Sequence, residues 1–226
     1  MTPAVSVIIP VYNEAEIINE SISLLIQSAG NHDIEIIVVD GHPDQTTLPV
    51  IQHHVLKISS RKGRAIQMNR GAEVATGGIM LFLHADTRLP ANGMDLIIDR
   101  MSDEEIAGGA FDLAIDAPGW GYRLIEWMAS KRSRITRIPY GDQAIFIRRN
   151  LFERIGGYPE IALMEDVALT RALKKQGESI GFISHPVKTS ARRWQKRGLF
   201  LGTLRNWVLI ILYLMGVSPE RLAKHY

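Results

Sequence analysis

The 226-residue sequence contains no cysteine. This absence excludes disulfide bonds and thiolate zinc sites, so a metal ion must be held by aspartate, glutamate, histidine or carbonyl oxygen. Such ligands suit magnesium and manganese. The chain also lacks an excess of charge of one sign: 26 Lys and Arg residues against 24 Asp and Glu residues give a net charge of +2. This balance argues against nucleic acid as the main partner.

Long hydrophobic runs are missing as well. The longest, 207–215, is shorter than the roughly 20 apolar residues of a membrane span, and Arg205 and Asn206 precede it. We predict a buried, interfacial or dimer-forming helix there. The N-terminus has no basic region before its short apolar stretch, so we expect no signal peptide and a cytoplasmic location. A hydrophobic content of 46% is enough for the core of one large domain.

What the chain does have is short apolar strands that alternate with amphipathic helices, a pattern typical of a parallel sheet covered on both faces. We predict strands near 4–9, 34–39, 55–59 and 79–84, and helices over 14–28, 63–76 and 91–101. The alternation stops after about residue 105. Beyond it we predict strands over 108–115 and 143–147, and helices over 119–133 and 166–176.

The most informative segment is LFLHADT, residues 81–87, in which an apolar run stops at His84, Ala85 and Asp86. A strand that delivers a carboxylate to its open end is a common way to hold a metal ion over a diphosphate. Two other predicted strands end in polar loops, at PVYNE (10–14) and at DG (40–41). Since the carboxyl ends of parallel strands share one edge of a sheet, these loops define a candidate site.

These loops, together with YGDQAIFIRR (140–149) and MED (164–166), resemble family 2 glycosyltransferases. GRAIQMNRGA (63–72), LFLHADTRLP (81–90) and SARRW (190–194) are similar to a small bacterial subgroup. The resemblance covers essentially the whole chain. It implies the glycosyltransferase A fold: an α/β, Rossmann-like, mostly parallel central sheet with helices on both faces and a C-terminal helical segment. The single domain would divide into a nucleotide-sugar-binding half (1–105), an acceptor and catalytic half (106–198), and an apolar helix and tail (199–226).

The resemblance assigns eight residues to donor binding: Pro10, Tyr12, Asp40, Arg64, Asp142, Gln143, Arg193 and Trp194. The first three would grip the nucleoside, Arg64 would face the diphosphate or base, and the others would contact donor and acceptor. Some of these residues could instead have no role in donor binding. Tyr12 could plug a strand end, Arg64 could be exposed at a helix start, and the basic cluster 192–197 could be a solvated face.

For the metal, Mn²⁺ or Mg²⁺, Asp86 matches the family's metal-contacting carboxylate. His84 departs from the usual DXD pattern, because it replaces the first acid. Its imidazole could coordinate the ion or hydrogen-bond to the donor, or it could be structural. His185 could complete the metal shell, with an ordinary loop histidine as the alternative. Glu14 is interpreted as a first-turn acid favoured by the helix dipole.

For catalysis, Asp166 matches the family's general base, and Glu165 would support it or contact the acceptor. Helix N-terminal acids would be the alternative. The resemblance therefore implies inverting transfer from a nucleotide-diphosphate sugar to an acceptor hydroxyl. Alternative functions are a sugar-nucleotide nucleotidyltransferase, which would carry a glycine-rich loop in place of PVYNE, and a non-catalytic nucleotide-sugar-binding protein. The acceptor could be a lipid carrier, a glycan or a small molecule.

The segment 192–215 places arginines and a tryptophan directly before the apolar run. It is predicted to dock on a membrane surface, with Arg192 and Arg193 meeting anionic headgroups. The rival prediction is that the run packs on the sheet or on a second subunit of a homodimer.

Overall fold

The computed structural model describes residues 3–225, apart from the side chains of Arg197 and Phe200. The strands are β1 (Val5–Val11), β2 (Ile34–Asp40), β3 (Leu56–Ser59), β4 (Ile79–Phe82), β5 (Thr87–Arg88), β6 (Ile106–Asp116), β7 (Ile145–Arg148) and β8 (Ser179–Ser190). The helices are α1 (Ile18–Ala29), α2 (Arg64–Val74), α3 (Gly93–Met101), α4 (Trp120–Thr136), α5 (Arg149–Arg154), α6 (Glu165–Lys175), α7 (Arg192–Arg197), α8 (Leu199–Leu214) and α9 (Pro219–Ala223). Short 3₁₀ turns lie at Leu48–Val50 and Gly141–Gln143.

All eight described strands form one sheet in the order β3-β2-β1-β4-β7-β6-β8-β5. The first four are mutually parallel. Strand β7 runs antiparallel to both of its neighbours, β4 and β6. Strands β6 and β8 are again parallel, and β5 closes the edge antiparallel to β8. The sheet is therefore mostly parallel, and both halves of the chain contribute to it.

The core fills both faces of the sheet because β1 is buried on both sides. Val7 and Ile9 pack on one face, with helix α1 (Ile18, Ile22) and α3. Ile8 points to the other face, where α2, α5 and α6 lie. Alternation of side chains along a strand requires this division, and it explains why β1 is a continuous apolar run rather than an alternating one.

The predicted elements of the front half are present with shifted ends, and the α/β class is confirmed. Helix α1 begins at Ile18, four residues later than the predicted start, and β4 ends at Phe82 rather than at residue 84. In the back half the predicted strand 108–115 lies within β6, and the predicted strand 143–147 overlaps β7. The 12-residue strand β8 was not delimited by the sequence pattern.

Helix α8 has 16 residues, and of the helices described none is both long and apolar enough to span a membrane. Leu209 is its buried anchor, packed with α6 and α9 residues such as Val167 and Leu222. Leu204, Trp207 and Ile211 are exposed. One stripe of α8 thus packs inward and the other faces outward, so the interfacial and dimer-forming alternatives stay predictions.

Candidate active site

Two cavities meet at the edge where β1, β2 and β4 end. We call the first the polar cleft; Glu14, Asp86 and Ser190 are among its lining residues. We call the second the apolar pocket; Leu113, Met164 and Ile210 are among its lining residues. Both cavities share Arg64, His84, Asp142, Arg193 and Trp194. Seven predicted donor and metal residues therefore line the polar cleft: Pro10, Arg64, His84, Asp86, Asp142, Arg193 and Trp194.

Asp86 is presented to the polar cleft by the turn after β4. The N–H of Thr87 donates to the carbonyl of His84, and the N–H of Ser190 donates to the carbonyl of Asp86, which ties this turn to β8. The Asp86 side chain stays 31% exposed and lies 3.7 Å from the Arg192 guanidinium. The strand end therefore presents an accessible carboxylate that already has one cationic neighbour.

Glu14 lines the same cleft, which corrects its interpretation as a first-turn acid of a helix. Since α1 begins only at Ile18, Glu14 lies in the preceding loop, where its carboxylate accepts a 3.2 Å hydrogen bond from Arg192. Burial raises the pKa of Glu14, and the hydrogen bond from Arg192 opposes that rise. Arg192 thus links two carboxylates of the cleft, and the sequence analysis missed Glu14 because the helix start was misplaced.

His84 stands between the two cavities as a neutral imidazole. Burial lowers its pKa well below the usual value, and the charges of Arg64 and Arg193 lower it further. Its Nε2 atom is buried and has no hydrogen-bond partner among the described residues. A Cβ added at Gly141 would lie 3.0 Å from that atom, so a larger residue at this position would press on the imidazole. The Nε2 atom of His84 is therefore available to a ligand at the junction of the two cavities.

His185 is not brought to the site, which corrects its prediction as a metal ligand. It is exposed on β8, five residues before Ser190, whose N–H bonds to Asp86. At about 3.3 Å per strand residue, these five residues place His185 about 16 Å from Ser190. Within residues 3–225 no group of three or more His, Asp or Glu side chains could by itself hold a metal ion.

Asp166, near the start of α6, lines the apolar pocket. Its Oδ2 accepts a 2.7 Å hydrogen bond from the N–H of Gly141, and its Oδ1 accepts one of 2.7 Å from Val167. Burial raises the pKa of Asp166 to about 6, the neighbouring Glu165 raises it too, and the two backbone donors lower it. The preceding Met164 is left-handed, with φ of 70°, and strained backbone of this kind clusters at functional sites.

Glu165 and Asp142 each have a cationic neighbour. The nearly buried Glu165 carboxylate lies 3.5 Å from Arg64, and Asp142 accepts a 3.1 Å hydrogen bond from Arg193. The guanidinium of Arg193 also stacks on the ring of Trp194, 4.9 Å from its centroid. These pairs hold two arginines at the junction of the cavities.

Gln143 is not available to a ligand, contrary to its predicted role. It is fully buried; its Nε2 donates to the carbonyl of Phe111, and its Oε1 accepts from Ser133 and from the N–H of Tyr140. A buried amide must be satisfied in this way. The structure therefore makes Gln143 an internal tie that holds the turn carrying Gly141.

At the predicted nucleoside end, Tyr12 is 37% exposed. Its ring lies 4.9 Å from that of His42, and Lys62 sits 4.6 Å over it. Asp40 is fully buried, and its carboxylate accepts hydrogen bonds from the N–H groups of His42 and Thr47. Asp40 therefore holds the loop beside Tyr12 in place through hydrogen bonds from backbone N–H groups. Lys62 was missed, since no local pattern distinguishes it from any surface lysine.

Comparison with known proteins agrees with this architecture. Residues 6–158 match the model of glycosyl transferase family 2, so the chain belongs to that family. It is 27% identical over 206 residues to the probable glycosyltransferase YdaM of Bacillus subtilis (strain 168), covering 80% of this chain and 49% of that protein. It is 25% identical over 228 residues to the glycosyltransferase AglE of Haloferax volcanii, covering 92% and 75%. The chain thus spans about half the length of the Bacillus relative.

A solved structure with a similar fold is the mannosyltransferase PcManGT from Pyrobaculum calidifontis in complex with GDP-Man and Mn²⁺. The TM-score is 0.64 at 23% identity, over 97% of this chain and 67% of that one. This likeness confirms the glycosyltransferase A fold.

Proposed function

We propose that the protein transfers a sugar from a nucleotide-diphosphate sugar to an acceptor hydroxyl, with inversion at the anomeric carbon. The observation that carries the proposal is the junction of the two cavities. Arg64 and Arg193 line both, Asp86 lines the polar cleft, and Asp166 lines the apolar pocket. Membership of the family favours this function over the nucleotidyltransferase and non-catalytic alternatives.

On the donor side, Arg64 and Arg193 would neutralise the diphosphate, because guanidinium groups match phosphate oxygens well. The unpartnered Nε2 of His84 is suited to hydrogen-bond to the donor at the junction. Tyr12 and Lys62 would border the nucleoside.

The polar cleft also fits a divalent cation, Mn²⁺ or Mg²⁺, provided that the donor supplies ligands. Asp86 is its accessible carboxylate, and Mg²⁺ sites are commonly built from one or two carboxylates, phosphate oxygens and water. The complex of PcManGT with GDP-Man and Mn²⁺ supports this assignment. Such a cation would neutralise charge on the leaving diphosphate.

On the acceptor side, Asp166 would act as general base. A pKa of about 6 leaves it mostly ionised at neutral pH and still basic enough to take a proton. The acceptor oxygen would bond to the anomeric carbon as its proton passes to Asp166, while the diphosphate leaves with the electron pair of the broken bond. A single displacement of this kind inverts the anomeric carbon.

A thermal-shift screen of nucleoside diphosphates with Mn²⁺ and Mg²⁺ tests the proposal, because a ligand of the folded state raises its stability. We expect at least one diphosphate to raise the melting temperature, and to do so more strongly with metal. The variant Asp86→Ala should lose the metal-dependent part of the shift, whereas Asp99→Ala, an exposed acid on α3, should keep it. No shift with any nucleotide, or an unchanged metal effect in Asp86→Ala, would contradict the proposal.

A further inference from the structure

We propose that the acceptor is amphiphilic: its reacting hydroxyl is attached to an apolar body, such as an alkyl or isoprenoid-like chain, that binds in the apolar pocket between α4, α6 and α8. This inference rests on the proposed function, since it takes the pocket beside Asp166 as the acceptor site.

The pocket is lined by two groups of side chains. His84, Gly141 and Asp166 lie together, and the acceptor hydroxyl would react beside them. The other group is aliphatic and aromatic and comes from α4, α8, β6 and the loop before α6: Leu113, Ile125, Leu163, Met164, Trp207 and Ile210. The cavity is open to solvent, so its volume of about 870 Å³ with the open mouth included is an upper bound on the space for a ligand. A molecule that fills it must therefore be polar at one end and apolar along the rest.

The side of the pocket formed by α8 offers few hydrogen bonds. The Thr203 hydroxyl already donates to the carbonyl of Leu199. The Oδ1 atom of Asn206 is buried and has no hydrogen-bond partner among the described residues, so it is one acceptor for a ligand group. A glycan body would bring hydroxyls on all sides, and most would be unpaired against these walls, which disfavours its binding. An apolar body loses no hydrogen bonds there and gains from burial.

The mouth of the pocket is also apolar. Trp207 lines the pocket and is 45% exposed, and the neighbouring Leu204 and Val208 on α8 are exposed too. A chain longer than the pocket would continue along these side chains rather than meet a polar rim.

The proposal is tested with hexyl, heptyl and octyl β-glucosides, each kept below its micelle concentration. Binding is measured by tryptophan fluorescence, since Trp194 and Trp207 line the pocket. We expect affinity to rise about fourfold for each added methylene that is buried. Ile210→Glu should abolish this dependence on chain length. Ile211→Glu is the matched control, because Ile211 is the next residue of α8, is 55% exposed and lies outside the pocket lining.

If Ile210→Glu does not fold, Ala129→Phe provides a second variant, since Ala129 lines the pocket from α4 and a larger side chain fills it. Affinity independent of chain length in the unmodified protein, or equal losses in Ile210→Glu and Ile211→Glu, would overturn the proposal. The nucleotide thermal shift is measured on the same samples. If it persists while chain-length dependence is absent, only the amphiphilic acceptor is refuted; if the shift itself is absent, the proposed function fails.

Discussion

At the residue scale, Glu165 and Asp166 show how neighbouring acids acquire different properties. Glu165 lies 3.5 Å from the guanidinium of Arg64, whereas Asp166 is held by two backbone N–H groups. Burial and the charge of Glu165 raise the pKa of Asp166 to about 6. A carboxyl group whose pKa is raised toward neutrality in this way suits acid–base catalysis.

Asp166→Asn should lower the transfer rate by about a hundredfold or more, because the amide cannot accept the proton of the acceptor hydroxyl. Donor affinity should stay nearly unchanged, since Asp166 lines the apolar pocket and not the polar cleft. Steady-state kinetics and nucleotide calorimetry measure the two quantities. Asp99→Asn on α3 is the control. Turnover near that of the unmodified protein would remove Asp166 as the base.

The pH dependence of transfer should follow the same carboxyl group. The active form is the carboxylate, so the rate should fall as pH decreases through about 6. Glu165→Gln removes a neighbouring negative charge that raises the pKa of Asp166, so this acidic limb should move to lower pH. It should still lie above the usual pKa of aspartic acid, because burial is the larger cause. A pH–rate profile of both proteins measures the shift. An acidic limb that stays at the same pH or moves to higher pH in Glu165→Gln contradicts the assignment of Asp166 as the base.

The motifs and their resemblance to the family predicted only part of the site, since Gln143 and His185 are not brought to it and Glu14 was missed. Asp86, Arg64, Glu165, Asp166 and Arg193 all line one or both cavities. Their catalytic and binding roles stay predictions. The direction of a side chain was not predictable: Gln143 turns inward to three partners. That choice depends on α4 and β6, which are distant in the chain.

At the element scale, β6 packs very closely against its neighbouring strands β7 and β8. A Cβ added at Gly109 would lie 2.3 Å from the carbonyl oxygen of Gly181 and 2.5 Å from the ring of Phe146. Both distances are far below van der Waals contact, and one of the atoms belongs to the backbone of a neighbouring strand. The pair Gly108-Gly109 is therefore a packing requirement of the sheet.

Gly109→Ala should lower the free energy of unfolding by about 1–3 kcal/mol or more, since overpacking shifts the backbone. Gly78→Ala is the matched control: nothing lies within 4 Å of its added Cβ, and its φ is not left-handed. Urea unfolding of both variants gives the comparison. Equal stability of the two would show that β6 relaxes without cost.

The two halves differed in how well their elements could be predicted. Strands β1, β2 and β4 are buried parallel strands that alternate with helices, which gives a strong and regular signal. Strand β8 mixes buried and exposed positions and has a register shift where Phe111 and Asp112 pair with it. Its pairing partner β6 lies more than 60 residues earlier, so no local pattern could reveal its length.

At the scale of the whole molecule, the two parts of the predicted membrane-docking segment 192–215 face different surroundings. Arg192 pairs with Glu14 and Asp86, and Arg193 with Asp142, so these arginines face the site rather than headgroups. The exposed apolar side chains of α8 remain for a surface contact.

We expect the protein to bind lipid vesicles through the exposed apolar side chains of α8, and Leu204→Glu with Ile211→Glu to weaken that binding several-fold. Liposome flotation measures it. Ile26→Glu is the control, because Ile26 is a comparably exposed isoleucine on α1. Absence of flotation, together with a stable dimer in solution, would favour the rival prediction that this face of α8 is a subunit interface.

Gln143 joins three parts of the molecule through one side chain: α4 by Ser133, β6 by Phe111, and its own turn by Tyr140. Separating any of them would leave a buried amide unpaired, at a cost of about 1–3 kcal/mol. In hydrogen exchange we therefore expect the amides of the turn and of β6 to open together and slowly. Helix α8, whose buried hydrophobic anchor among the described side chains is Leu209, should exchange faster. The wall of the apolar pocket that α8 forms would then open more often than the other walls. A bulky ligand would therefore enter on that side.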